Sequence, residues 1–249
     1  MTLKAPYLRE VSLDSAEGQE RYPFSLPLFR QGFSMELTNV VTILSGENGC
    51  GKSTLLEALA RNCGFNTMGG SSSHLYGDDS DISRLSKRLV CRWLPKVGRG
   101  FFFRAESFFN FSTYVDELSK DHGRVALQPY GGKSLHQMSH GEAFLALFEN
   151  RIQGKGVYIF DEPEAALSPM RLMRFMAILH DLTKQGTSQI IIATHSPILM
   201  SYPECQFLYI EDGRIAPRDY RTTEHYKVTR RFLERPEVYL NEILGDTKS

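Results

Sequence analysis

Short, dense apolar runs recur along the chain at Leu8–Leu13, Val40–Leu44, Gly100–Arg104, Val157–Phe160, Gln189–Ala193 and Phe207–Ile210. Several are continuous rather than alternating, as in Val-Tyr-Ile-Phe and Gln-Ile-Ile-Ile-Ala. Continuous runs of this length suit strands covered on both faces. Helical periodicity fills the intervals. One helix follows Lys52, a second opens at Ser139, and a third opens at Ser168 with Pro169 in its first turn and stops near Gly186. Proline just inside the start and glycine just past the end are the expected punctuation. The stretch Thr222–Leu244 predicts two short helices divided near Pro236. Strands alternating with helices predict an α/β fold with a largely parallel sheet.

Two segments break the rhythm. Met68–Asp81, rich in glycine, serine and aspartate, reads as a surface loop, and Glu106–Gln137 reads as mixed and partly helical. Between them, residues 82–105 carry seven basic side chains and no acidic one: Arg84, Lys87, Arg88, Arg92, Lys96, Arg99 and Arg104. Read as a helix, Arg84, Lys87, Arg88 and Arg92 share a face opposite Ile82, Leu85, Leu89 and Trp93. Such a stripe suits nucleic-acid phosphates, or equally a solvated face paired with the acidic residues just upstream.

Composition narrows the classes. The 249 residues have a formal net charge of zero, so no global field draws the chain to nucleic acid or to an anionic membrane. Four cysteines (Cys50, Cys63, Cys91 and Cys205) form no metal-type spacing and read as reduced thiols of a cytoplasmic protein. No apolar run approaches a membrane span, so direct membrane insertion is not expected and any membrane contact needs a partner.

The chemistry begins after the second run. Gly46-Glu47-Asn48-Gly49-Cys50-Gly51-Lys52-Ser53-Thr54 fits G-x-x-x-x-G-K-[ST], the Walker A phosphate loop. Glycines let backbone N–H groups converge on phosphates, and the following helix aims its positive end at them. Lys52 is expected to reach the outer phosphates of ATP and Ser53 to ligate Mg²⁺. The bland alternative is a glycine turn with a surface lysine.

Distant residues decide between these readings. Asp161 and Glu162 end an apolar strand, where paired carboxylates are costly unless they serve a cation or a reaction. Asp161 suits the Mg²⁺ shell and Glu162 the activation of a water. Thr194-His195-Ser196 ends another apolar strand, and His195 fits a γ-phosphate sensor by its place in the chain. Ser139 and Glu142 form a capping box, itself a sufficient reason for both residues, yet the same helix start with Gly141 can hold a second anion.

The order of these motifs resembles the ATP-binding-cassette (ABC) ATPase superfamily. It is similar to small stand-alone ATPases of the AAA-like ABC/SMC group rather than to transporter subunits. The resemblance rests on Gly-Glu-Asn-Gly-Cys-Gly-Lys-Ser-Thr, Phe-Phe-Phe-Arg-Ala-Glu-Ser-Phe-Phe, Met-Ser-His-Gly-Glu, Phe-Asp-Glu-Pro-Glu-Ala-Ala-Leu-Ser-Pro and Ala-Thr-His-Ser-Pro. It implies a homodimer that sandwiches two ATP molecules, with Lys52, Ser53 and Asp161 of one protomer facing Ser139 and Gly141 of the other. Glu162 is then the catalytic base, His195 the γ-phosphate contact, and Glu164–Ser168 a D-loop at the dimer interface.

Two departures stand out. His140 replaces the first glycine of the family's signature pair. No glutamine follows Gly100–Arg104, where transporters keep one, so Arg104 or Glu106 must stand in, with Glu106 favoured as a metal-binding carboxylate. Tyr22 and Phe24 lie where an adenine-stacking ring is plausible, but core packing is the favoured use of both. The resemblance implies a single domain over residues 1–249. Its nucleotide-binding core spans 1–104 and 153–249, and a small helical signature subdomain spans 105–152. Action on DNA, RNA or a partner effector protein, as in repair or phage defence, is the expected function, with a nucleotide-binding subunit of a membrane transporter as the alternative.

Overall fold

The computed structural model describes residues 4–16, 18, 20–65, 80–107, 134–152 and 154–245, with positions 113, 116, 117, 119, 120, 127 and 132. Most of the expected Met68–Asp81 loop and much of the Glu106–Gln137 segment lie outside the described residues.

In chain order the strands are β1 (Leu8–Leu13), β2 (Phe33–Glu36), β3 (Val41–Gly46), β4 (Val90–Trp93), β5 (Gly100–Arg104), β6 (Gly156–Asp161), β7 (Ser188–Ala193), β8 (Cys205–Glu211) and β9 (Arg214–Pro217). The helices are α1 (Pro27–Gln31), α2 (Lys52–Asn62), α3 (Asp81–Arg88), α4 (His140–Arg151), α5 (Pro169–Gln185), α6 (Pro197–Met200), α7 (Glu224–Glu234) and α8 (Pro236–Leu244). The main sheet has the order β5-β6-β7-β3-β8-β9. Its first five strands are parallel and β9 closes the edge as an antiparallel hairpin on β8.

The continuous apolar runs follow from burial on both faces. Tyr158, Phe160, Ile190 and Ile192 point into one cluster with Phe144 and Phe148 of α4 and Phe175 of α5. Their neighbours Val157, Ile159 and Ile191 point the other way, against Leu55, Leu56 and Leu59 of α2. Alternate residues therefore feed two cores, and both must be apolar. The first core is aromatic: Phe148 lies 4.4 Å from Phe160 and 4.4 Å from Phe175, centroid to centroid. The helix that opens at Ser139 is thereby bolted directly onto the central strands.

A second, antiparallel sheet of order β2-β1-β4 covers the other face. Gln189 of β7, fully buried, stitches the two sheets together. Its Oε1 accepts from the backbone N–H groups of Tyr7 and Leu8, and its Nε2 donates to Leu8 O, all at 2.8 Å.

The helix read across Ile82–Trp93 is divided. Ser80 caps α3, which stops at Arg88, and Val90–Trp93 pairs with β1 as a strand. An available antiparallel partner overrides the helical spacing, and exposure along β4 alternates with period two. The C-terminal pair is as expected, with Pro236 opening α8.

Candidate active site

Register aligns the carboxyl ends of four neighbouring strands. Arg104 pairs with Asp161, Asp161 with Ala193, and Leu44 with Ala193. The residues that follow each strand therefore converge at one edge, where parallel α/β sheets bind ligands.

β3 ends at Gly46 with φ 155°, and a Cβ there would stand 2.7 Å from Ile210 O. Gly51 holds φ 101° immediately before α2, with its Cα facing the Phe29 ring. Only glycine fits both places, so the loop is shaped for close backbone approach. Glu47, Asn48 and Gly49 are exposed, whereas Lys52 is buried. Lys52 Nζ donates to Gly46 O and Glu47 O, each at 2.9 Å, folding its charge back over the loop. Thr54 Oγ1 is 3.0 Å from the hydroxyl of Tyr22. Tyr22 is 47% exposed beside the site, while Phe24 lies in the core. The shared packing expected of these two rings holds for Phe24 alone.

Asp161 is buried at the end of β6. Its Oδ1 accepts from Ser53 Oγ at 3.0 Å, and its Oδ2 accepts from Arg104 Nε at 2.8 Å. Arg104 Nη1 also reaches Glu57 Oε2 at 3.2 Å. Burial raises the Asp161 carboxyl, and Arg104 and Ser53 oppose that rise. Of the two residues offered for the missing glutamine, Arg104 is the one in contact with Asp161. Glu106 sits in the adjoining turn Ala105–Ser107 and lines the same pocket as Ser53, Asp161 and Glu162.

Glu162 adopts φ 51°, ψ 53°, a left-handed conformation unusual for a glutamate. Its N–H donates to Ala193 O at 2.9 Å, which holds the turn. Burial first, then the charges of Asp161 and Glu164, raises its carboxyl above the ordinary range, against the pull of Lys52. His195 Nε2 stands 3.6 Å from Glu162 Oε1. Burial, Lys52 and His225 push His195 down to about 4, so the ring is neutral near pH 7.

Sequence reasoning gives Glu164 only a place in the D-loop and misses His225. Glu164 Oε1 accepts from Thr194 Oγ1 at 2.7 Å, His195 N at 2.6 Å and Ser196 N at 3.1 Å, clamping the switch segment. His225, in the first turn of α7, places its Nε2 2.8 Å from His195 Nδ1. Glu164 stood in a motif already recognised, but no motif marks His225.

Ser139, Gly141 and Glu142 form a separate group. Ser139 is exposed, and its N–H and Oγ–H both donate to Glu142 Oε2, at 3.0 and 2.7 Å. Arg171 lies 3.4 Å from Glu142, and a Cβ on Gly141 would meet Arg171 Nη1 at 2.6 Å. These residues bond to one another and to Arg171 rather than to the phosphate loop of the same chain.

The basic stretch is dispersed. Arg84 pairs with Asp81 and Arg92 with Glu10, Arg88 lies over Phe24, and Arg104 is spent at the site. The helical stripe is shortened accordingly: Arg84, Lys87 and Arg88 stay on α3, whereas Arg92 moves to β4.

Ser53 and Asp161 fit a Mg²⁺ ion, which takes few protein ligands and completes its shell with water and phosphate oxygens.

A parallel sheet with a glycine phosphate loop, a buried lysine and a Ser–Asp pair defines a P-loop ATPase. The family model described as "ABC transporter" matches residues 31–165, and the chain belongs to that family. A second model, described as "AAA domain, putative AbiEii toxin, Type IV TA system", matches residues 142–201. The chain is 28% identical over 195 residues to the energy-coupling factor transporter ATP-binding protein EcfA2 of Clostridium perfringens, covering 70% of this chain and 66% of that one. It is 26% identical over 227 residues to the hemin import ATP-binding protein HmuV of Rhodococcus jostii, covering 83% and 75%. The chain thus spans about two thirds of the length of the first of these relatives. In fold it is similar to an inward-facing structure titled a "putative metal-chelate type ABC transporter", with TM-score 0.51, 17% identity, and coverage of 89% and 88%. These relatives favour the transporter alternative over the nucleic-acid reading drawn from the sequence. Among the described residues no helix is long and apolar enough to cross a membrane.

Proposed function

We propose that the chain is the ATP-hydrolysing subunit of an assembly in which two copies close face to face over two ATP molecules, and that the assembly drives a membrane permease. The observation that carries the closure is that the hydrogen bonds fall into two groups. Ser53 bonds to Asp161 and His195 faces Glu162 at one sheet edge, while the exposed Ser139 bonds to Glu142 at the start of α4. A partner's Ser139 and Gly141 complete the phosphate site. The curated relatives, named as transporter ATP-binding proteins, support the permease.

In this reading the N–H groups of residues 47–52 and the Lys52 ammonium bind the phosphates. Ser53 and Asp161, with Glu106 nearby, would hold a Mg²⁺ ion, whose charge would stabilise the phosphate oxygens. Glu162, its carboxyl raised in affinity for protons, orients the attacking water and takes its proton. Neutral His195 contributes a hydrogen bond at the terminal phosphate.

A second reading, action on a partner effector or nucleic acid, is favoured by the lack of a glutamine directly after Gly100–Arg104 and by the match at residues 142–201. Affinity purification from detergent-solubilised cells distinguishes the two. An integral membrane protein recovered stoichiometrically supports the permease. ATP-dependent, salt-sensitive retardation of duplex DNA without such a protein overturns it.

A further inference from the structure

Both nitrogens of His195 face a titratable side chain. Nε2 faces Glu162, 3.6 Å from Oε1, and Nδ1 stands 2.8 Å from Nε2 of His225, with the ring centroids 4.7 Å apart. Burial, aided by the Lys52 charge, disfavours the protonated form of both imidazoles. Two neutral rings at this distance share one N–H, so one donates and the other accepts.

The surroundings choose between the two arrangements. His225 Nδ1 is buried and has no hydrogen-bond partner among the described residues. If His225 accepted, its own proton would sit on that Nδ1 as a buried orphan donor, and His195 would turn a lone pair toward the Glu162 carboxylate. If His225 donates, its Nδ1 carries no proton, and His195 holds its proton on Nε2, facing Glu162. Orphaned buried N–H groups are the rarer defect, and a lone pair against a carboxylate is repulsive.

The geometry points to His225 as a positioning residue that locks His195 in the Nε2–H tautomer, so that the switch histidine donates toward the catalytic carboxylate and the end of a bound triphosphate. The backbone of the switch is already clamped by Glu164, and His225 fixes the remaining freedom, the ring and its proton. His225 is itself anchored. Thr223 caps α7, buried, with its Oγ donating to Tyr220 O at 2.6 Å, and Tyr220 packs edge-on to Tyr226 at 5.3 Å. The inference rests on the role given to His195 above, but its test reads the tautomer independently of turnover.

The full chain is labelled with ¹⁵N-histidine, and the His195 signals are assigned by their loss in His195→Gln. The expected wild-type pattern is a protonated Nε2 and a bare Nδ1. His225→Phe, which cannot donate, should shift His195 toward the Nδ1–H form and lower kcat about tenfold with KM for ATP unchanged. His225→Gln, whose amide can donate from a similar position, should restore the tautomer and most of kcat. An Nδ1–H pattern in the wild type, or a pattern unmoved by His225→Phe, overturns the proposal. So does an equal loss of kcat in the Phe and Gln variants. A wild-type chain with the expected tautomer but no ATP turnover would instead fault the ATPase reading alone.

Discussion

Arg104 Nε lies 2.8 Å from Asp161 Oδ2, so the aspartate that faces Ser53 with one oxygen is neutralised through the other. Removing one partner of such a pair leaves a buried charge uncompensated. Arg104→Ala is expected to lower the stability of the nucleotide-free chain by about 3 kcal/mol in urea denaturation. Arg104→Gln, which keeps a donor but no charge, should fall between. Wild-type stability in Arg104→Ala would show that the pair is not structural.

Glu162→Gln keeps the size of the side chain and removes the base. ATP hydrolysis should drop at least about a hundredfold while ATP binding persists. Light scattering should then show a doubled mass with ATP and a single mass without it. A single mass in both conditions counts against the face-to-face closure.

Lys52→Ala should abolish nucleotide binding, and Ser139→Arg should block the partner's half-site. Each variant alone is expected to be inactive. Mixed together they should recover part of the wild-type rate, because one mixed pair contains one complete site. Failure to recover any activity would mean that both halves act within one chain.

Acid should destabilise the fold through His195. The unfolded chain takes up this proton near pH 6.5, the folded chain only near about 4, so the unfolded state binds more protons in between. Stability at neutral pH is therefore lost as pH falls through that window. Urea midpoints measured from pH 7 to pH 4 should decline less steeply in His195→Gln. The acid limb of kcat/KM should also lie above the ordinary glutamate range, because Glu162 must ionise against burial and the like charges of Asp161, Glu164 and Glu106.

Phe148 touches Phe144, Phe160 and Phe175 with ring centroids 4.6, 4.4 and 4.4 Å away. Phe148→Ala should cost about 4 kcal/mol by cavity formation, read as a lowered denaturation midpoint. A loss below about 1 kcal/mol would show that α4 is only loosely fastened to the sheet.

Much of this was legible from residue order. Strands that bury both faces must be apolar throughout, so β6 and β7 stand out in the chain, and the phosphate loop is marked by glycines that no other residue can replace. Helical spacing misleads at Val90–Trp93 because it says nothing of β1, its partner from far along the chain. Local pattern favours Glu106 over Arg104, because the pairing of Arg104 with Asp161 depends on strand register, which no local pattern carries. Tyr22 and Phe24, two positions apart, part company because one turns outward over Thr54 and the other inward. His225 carries no local signature at all. Its meaning comes only from the fold that brings α7 to the end of β7.

The left-handed backbone at Glu162 sets two demands against each other at a single position. Glycine there would relax the turn but discard the carboxylate, whereas glutamate keeps the reactive group and strains the chain. Variants screened for heat resistance should accumulate glycine at this codon, and those screened for turnover should purge it.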